Sequence, residues 1–326
     1  MNYVPLGKSG LKVSEICLGT MTFGNEADKE VSFKIMDYAY DIGINFFDTA
    51  HNYNKGETEK IVGEWINSKR KDIILASKVF FPSQQGINNE GLSKKNIMQS
   101  VEESLRRLKT EYLDILYLHH WDEYTSIEYS LEAVHTLIMQ GKVLYMGISN
   151  FSAWQIMKAI AVAREYHFTP VVCIQPMYSL IKRQVEVEIL PLAKQENLAV
   201  VPYNVLGAGM LTGKYLKGEK GRLIENKMYQ QRYSNPMYEE ITRKFVQYAE
   251  GKGYSPAVLS ASWVKSNPAV TSILLGARTL EQFKEVIQCV DLKLSLEQWE
   301  EISKLSYQPP LPTDREPLDV YRLRGW

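Results

Sequence analysis

The chain has 326 residues, of which 45% are hydrophobic and 23% charged. That is ordinary globular composition, with apolar material for a full core, at a length that α/β barrels reach as one domain. Lysine plus arginine and aspartate plus glutamate both number 38, a balance that argues against a nucleic acid or an anionic membrane as partner. The opening Met1-Asn2-Tyr3-Val4-Pro5-Leu6-Gly7 is not a basic segment followed by an apolar one, so it does not read as a signal peptide. No window is long and apolar enough to span a bilayer. The isolated cysteines Cys17, Cys173 and Cys289 sit in apolar runs and read as buried free thiols, so a cytoplasmic protein is the expectation.

In chain order, Tyr3-Val4-Pro5-Leu6 and Leu11-Lys12-Val13 flank Gly7-Lys8-Ser9-Gly10, which predicts a β-hairpin. Ile16-Cys17-Leu18-Gly19 predicts the first buried strand, and a helix over 28–40 ends at Gly43. Strands and helices then alternate: 45–48 with 57–67, 73–78 with 94–108, 115–119 with 127–139, 144–148 with 153–166, and 172–175 with 187–196. A strand over 199–203 leads into a long irregular loop over 207–236, then helices over 238–250 and 256–266. A strand over 272–275 leads into a helix over 280–289. A last helix over 296–305 precedes a proline-rich tail.

The strands are short and apolar on both faces, as parallel strands covered on both sides are. Eight β-then-α units predict an α/β fold, a (β/α)8 TIM barrel over 1–326 as a single domain, with an N-terminal β-hairpin and an extra C-terminal helix. The rival open doubly wound sheet places G-x-G-x-x-G after its first strand, and Gly19-Thr20-Met21-Thr22-Phe23-Gly24 does not match it. A loop as long as 207–236 is expected to be functional.

A barrel builds its site where its strands end. Those ends offer Asp48 with Tyr53 in the following loop, Lys78, His119 with His120, Ser149 with Asn150, Gln175, Tyr203 with Asn204, and Gly276-Ala277-Arg278. An acid at the tip of a buried strand is costly without a partner, and Lys78 is the candidate for Asp48.

Six motifs carry a family resemblance. They are Phe47-Asp48-Thr49-Ala50 with Tyr53, Gly56 and Glu59; Ala76-Ser77-Lys78; Leu116-Tyr117-Leu118-His119-His120-Trp121; Gly147-Ile148-Ser149-Asn150-Phe151; Gln175-Pro176; and Leu206-Gly207 through Leu211-Thr212-Gly213-Lys214. Through them the sequence resembles an aldo-keto reductase over essentially its whole length. The resemblance implies NADPH-dependent reduction of small aldehydes or ketones to alcohols, with NADH the lesser cofactor and no metal. It also implies a tetrad of Asp48, Tyr53, Lys78 and His120.

Carbonyl reduction needs hydride at carbon, which no side chain donates, and a proton at oxygen. Tyr53 would be the general acid, and the Lys78 ammonium would lower its ordinary pKa of about 10. Asp48 would keep Lys78 charged, and His120 would polarise the substrate oxygen. His120 is chosen because the family's histidine ends Leu-Tyr-Leu-x-His and commonly precedes tryptophan. Strand alternation then sends His119 to the opposite face as a core histidine.

For the cofactor, the resemblance assigns Ser149, Asn150 and Gln175 to the carboxamide and Tyr203 to stacking on the nicotinamide. Gly19, Thr20, Met21, Asp48 and Asn204 belong to the same cofactor set. Leu206, Gly207 and Gly209 would bring backbone amides to the pyrophosphate, with Lys214 adding charge. Gly276, Arg278, Gln282 and Glu285 would serve the adenosine end, where a helix start with an arginine suits a phosphate. Gln282 stands where other branches carry a second arginine, and Val286 where they carry an asparagine.

Tyr53, Phe80, His120 and Trp121 form the expected substrate pocket, together with Met21, Phe23 and Phe81. The charged, aromatic tail over 319–326 is a further candidate for the mouth or for a neighbouring subunit. A monomer or a small homo-oligomer is expected. Two other functions compete: a cofactor-binding regulatory subunit, and a barrel aldolase with Lys78 as Schiff-base amine. An ion pair with Asp48 would keep that lysine protonated and unreactive.

Overall fold

The computed structural model describes residues 1–311. The tail over 319–326 lies outside the described residues. Strands β1 (Tyr3–Pro5) and β2 (Lys12–Ser14) pair antiparallel, with Val4 opposite Val13. This hairpin plugs the barrel end at which the strands begin. Leu6 and Val13 are buried with the interior residues Cys17, Phe46 and Val172, and the Tyr145 hydroxyl donates to Ser9 O at 3.1 Å. Gly7 comes so close that a Cβ there would meet Val172 O at 2.8 Å. Only the opposite end is left for a site.

The barrel staves are β3 (Ile16–Gly19), β4 (Phe46–Asp48), β5 (Ile74–Val79), β6 (Leu113–Leu118), β7 (Val143–Ser149), β8 (Val171–Gln175), β9 (Ala199–Val200) and β10 (Ile273–Leu275). All pair in parallel in the order β10-β3-β4-β5-β6-β7-β8-β9. The two edges meet through Thr271 N to Val200 O and Leu274 N to Pro202 O, both 2.9 Å, so the sheet closes as predicted. β9 is shorter than its expected 199–203 because Pro202 has no N–H to give to a ladder.

Each strand contributes alternately to two apolar layers. Cys17, Phe46, Ala76, Ile115, Tyr117, Cys173 and Ala199 fill the interior. Leu18, Phe47, Leu75, Leu116, Leu118, Ile174 and Val200 pack outward under the helices. These are α1 (Lys29–Asp41), α2 (Glu57–Ile66), α3 (Lys94–Leu108), α4 (Ile127–Met139), α5 (Ala153–Glu165) and α6 (Ile189–Glu196). Asp28 and Ser93 cap α1 and α3 by accepting from Val31 N and Asn96 N.

The loop over 207–236 is not irregular, which corrects the sequence reading. It holds tight helical turns at Gly207–Thr212 and Lys214–Lys217, then α7 (Arg222–Glu225) and α8 (Lys227–Arg232). Positive φ at Ala208, Gly209, Gly213 and Gly218 breaks these into short pieces, so no amphipathic period spans them. They lie as a strap across the open end of the barrel. α9 (Pro236–Gly251), α10 (Pro256–Lys265), α11 (Leu280–Val286) and α12 (Leu296–Ser303) complete the chain. No helix among the described residues is long and apolar enough to cross a membrane.

Candidate active site

A cavity of about 740 Å³ opens where the strands end. At its floor β4 delivers Asp48 and β5 delivers Lys78, both on the interior parity of Phe46 and Ala76. The Lys78 side chain is fully buried and Asp48 is 1% exposed. Lys78 Nζ has three protons and three acceptors. It donates to the Asp48 carboxylate, to Thr49 O at 2.8 Å and to Tyr53 Oη at 3.2 Å. Gln175 Nε2 donates to the second Asp48 oxygen at 2.8 Å. The ion pair is therefore both buried and fully bonded, the condition under which such a pair survives.

Burial alone would lower the Lys78 pKa, but Asp48 and Tyr53 outweigh it and hold the ammonium above its ordinary value. Burial pushes the Asp48 carboxyl up, against the pull of Lys78 and Gln175. Burial also pushes the Tyr53 phenol up. The neighbouring Lys78 lowers it, but not enough to bring it below its ordinary value. The expected lowering of Tyr53 is thus reversed, because desolvating a phenolate costs more than one ammonium returns. Tyr53 is a protonated phenol whose oxygen already accepts from Lys78.

The two histidines correct the sequence reading in a different way. Both rings line the cavity. Tyr117 points into the barrel, so His119, two residues on, shares its side; the interior parity belongs to His119, not to His120. The ladder ends at Leu118, and the loop that follows carries His120 to the outer rim, where its Nδ1 lies 2.8 Å from Trp121 O.

His119 is the deeper of the two. Its ring meets Tyr53 edge-on, with centroids 6.1 Å apart, and Phe81 at 5.2 Å. Its Nδ1 is buried without a partner among the described residues. Burial, with Lys78 and His120 nearby, drops its pKa well below the usual range, so the ring is neutral.

Around the inner end the polar groups interlock. Ser149 Oγ donates to Gln175 O at 2.8 Å, and Asn150 Nδ2 donates to His119 O at 2.9 Å. Tyr203 Oη donates to Asn150 Oδ1 at 2.7 Å. Asn150 and Asn204 hold positive φ, 57° and 62°, a conformation that asparagine tolerates better than most residues.

At the outer end Lys214, Arg222 and Arg278 converge on the cavity. Burial, with Arg278 and Arg222 close by, lowers the Lys214 pKa. Gln282 Oε1 accepts from Arg278 N at 3.2 Å, and Glu285 accepts from Ser255 Oγ at 2.7 Å.

Of the other sequence candidates, Gly19, Thr20, Met21, Leu206, Gly209 and Gly276 reach the cavity wall. Gly207 does not, and Lys78 lies beneath the wall. Phe80 and Trp121 also miss it, and Phe81 takes their place. Phe80 turns against Phe81 and His120, with centroids 4.9 and 5.2 Å away, while Trp121 is buried edge-on against Phe151 and Trp154. The sequence reading missed Arg222, Met228, Tyr229 and Arg232 of the strap, which also line the cavity.

The donor set suits an elongated ligand with negative charge at its outer end and an amide-like group at its inner end. Three cations stand at one end, and Gln175 and Asn150 at the other.

Residues 15–306 match the model of the aldo/keto reductase family. The chain is 38% identical over 315 residues to the uncharacterized oxidoreductase YrpG of Bacillus subtilis, spanning 91% of this chain and 93% of that one. It is 34% identical over 327 residues to norsolorinic acid reductase A of Aspergillus parasiticus, spanning 96% and 80%. It is also 36% identical over 304 residues to a probable voltage-gated potassium channel subunit beta of Arabidopsis thaliana, spanning 90% and 92%.

Proposed function

The chain belongs to the aldo/keto reductase family, and from that premise we propose that it reduces aldehydes and ketones to alcohols with NADPH as hydride donor. The observation that carries the reading is one buried ammonium, Lys78, shared between the Asp48 carboxylate and the Tyr53 hydroxyl at the floor of the cavity. Bound NADPH supplies hydride to the carbonyl carbon; the rest of the chemistry falls to side chains.

Tyr53 carries the proton for the carbonyl oxygen. Its raised pKa keeps it loaded at neutral pH, and Lys78 stabilises the phenolate left behind. Asp48 and Gln175 keep Lys78 charged and fixed. His119 takes the polarising role assigned to His120 by sequence. It is neutral, deep and edge-on to Tyr53, so one ring N–H serves as donor to the substrate oxygen. His120, Phe81 and Met21 form the rim against which the substrate rests.

Ser149, Asn150 and Gln175 would hold the carboxamide, with the Tyr203 ring beside the nicotinamide. Lys214, Arg222, Arg278 and Gln282 would hold the phosphates. Two arginines at that end favour NADPH over NADH.

The test is consumption of NADPH against a panel of aldehydes and ketones, comparing wild type with Tyr53→Phe. The reading expects turnover that falls by about 10²–10⁴ in the variant while cofactor affinity is kept. A second reading, a cofactor-binding regulatory subunit, draws on the relative named as a potassium channel subunit beta. Tight NADPH binding with no reduction of any carbonyl would favour it.

A further inference from the structure

Glu26, in the loop between β3 and α1, is outside the cavity wall, yet it touches both arginines of the outer end. Arg222 Nη2 donates to Glu26 Oε2 at 2.7 Å and Arg222 Nε to Oε1 at 3.3 Å. Arg278 Nη2 donates to Oε1 at 2.9 Å. One carboxylate therefore joins three elements: the β3–α1 loop, the strap, and the turn after β10. Two guanidiniums repel each other, and the carboxylate that hydrogen-bonds to both is Glu26; Glu225, on α7 with Arg222, adds a longer contact to Arg278 Nη1 at 4.0 Å.

The arrangement leaves donors over. Arg222 Nη1 and Arg278 Nε carry no hydrogen bond among the described residues, and both residues line the cavity. Burial would raise the Glu26 pKa, but the two arginines outweigh it and keep the carboxylate ionised. Lys214, on the cavity side, is crowded by the same arginines. Lys214, Arg222 and Arg278 share the cavity wall with Glu219 and Glu285, and Glu26 holds the two arginines from outside that wall.

We infer that Glu26 is a positioning residue for cofactor selection. It clamps Arg222 and Arg278 into one convergent site for a phosphate monoester dianion, and so discriminates a 2′-phosphorylated dinucleotide from one that lacks that phosphate. The inference rests on the nicotinamide reading above and extends it to a residue that touches neither substrate nor cofactor. Arginine forks match phosphate only when their planes are held in register. The side chains of Arg222, Arg278 and Glu26 are 23%, 27% and 26% exposed, so the clamp is partly screened and its effect moderate.

The experiment is a binding titration, by protein fluorescence, of NADPH and of NADH to wild type and to Glu26→Gln, which keeps the shape and removes the charge. Circular dichroism checks that the variant is folded. The expected result is an NADPH Kd raised about ten-fold with the NADH Kd moved less than about two-fold, and a wild-type NADPH preference that shrinks as salt is added. Equal weakening of both cofactors would mean a general structural role and would overturn the inference. No change in either would overturn it too, as would tighter NADPH binding, which would make Glu26 a competitor of the phosphate. A wild type that binds neither dinucleotide would instead fail the nicotinamide reading itself, and the clamp with it.

Discussion

Replacing Lys78 with methionine removes the centre of the buried network, and its cost can be worked from the bonds it makes. The change deletes the ion pair with Asp48 and the bonds to Thr49 O and Tyr53 Oη. Asp48, 1% exposed, keeps only the 2.8 Å bond from Gln175. Breaking a buried pair from one side costs about 3–5 kcal/mol, mostly as the desolvation of the charge left over. That cost depends on pH in a definite direction. Without its lysine, Asp48 has a folded pKa well above its unfolded value of about 3.9, so the fold holds it neutral. Below about pH 3 the unfolded chain is largely neutral at this group too, and the penalty is small; as pH rises through about 4 the unfolded state gains an ionised carboxylate that the folded state cannot match. Urea unfolding followed by circular dichroism should show Lys78→Met losing stability progressively toward neutral pH. Adding Asp48→Asn should return about 2 kcal/mol at neutral pH, because an amide leaves no buried charge. A double variant as unstable as the single one, with no pH-dependent gap between them, would refute the claim that an uncompensated carboxylate is the cost.

Three further outcomes follow from the same structure. His119→Asn should lower kcat by about 10²-fold or more with aldehydes, while His120→Asn acts chiefly on KM; steady-state kinetics that show the reverse would return the role to His120. Burial and the Arg107 guanidinium drop the His51 pKa to about 4, below its unfolded value of about 6.5. The unfolded chain takes up the proton first, so stability is full above about pH 6.5 and falls by up to roughly 3 kcal/mol as pH drops toward 4, a slope that His51→Gln should flatten in denaturation midpoints. At Gly63, where α2 crosses α3, an added Cβ would lie 2.4 Å from Arg107 O and 2.6 Å from the Leu108 backbone. Backbone cannot move aside as a side chain does, so Gly63→Ala should cost about 1–3 kcal/mol of unfolding free energy despite alanine's better helix propensity.

The barrel was legible because its strands are covered on both faces and read as unbroken apolar runs. The helices over 94–108 and 127–139 are long, periodic and well delimited, and the structure returns the same bounds. Asp48 and Lys78 were legible as well, since a charge at the end of such a run stands out. The strap was not, because turns with positive φ at Ala208, Gly209 and Gly213 erase any helical period. His119 was misjudged because the pattern Leu-Tyr-Leu-x-His before tryptophan was taken to select His120, and alternation then sent His119 to the other face; counting from the interior residue Tyr117 gives the observed side. Glu26 meets Arg222 and Arg278 across 196 and 252 residues of chain, and no local pattern encodes such a contact. The direction of the Tyr53 shift needed its burial, which a sequence does not state.

The central claim is that hydride passes from the nicotinamide to a carbonyl carbon while Tyr53 gives the proton. The most direct measurement supplies NADPH carrying deuterium at both C4 positions, with an aromatic aldehyde in ordinary water, and weighs the alcohol by mass spectrometry. The account predicts one deuterium on the carbinol carbon of the product from the wild-type enzyme, and product formation all but abolished in Tyr53→Phe. Alcohol formed without deuterium, or formed equally well by Tyr53→Phe, would contradict it.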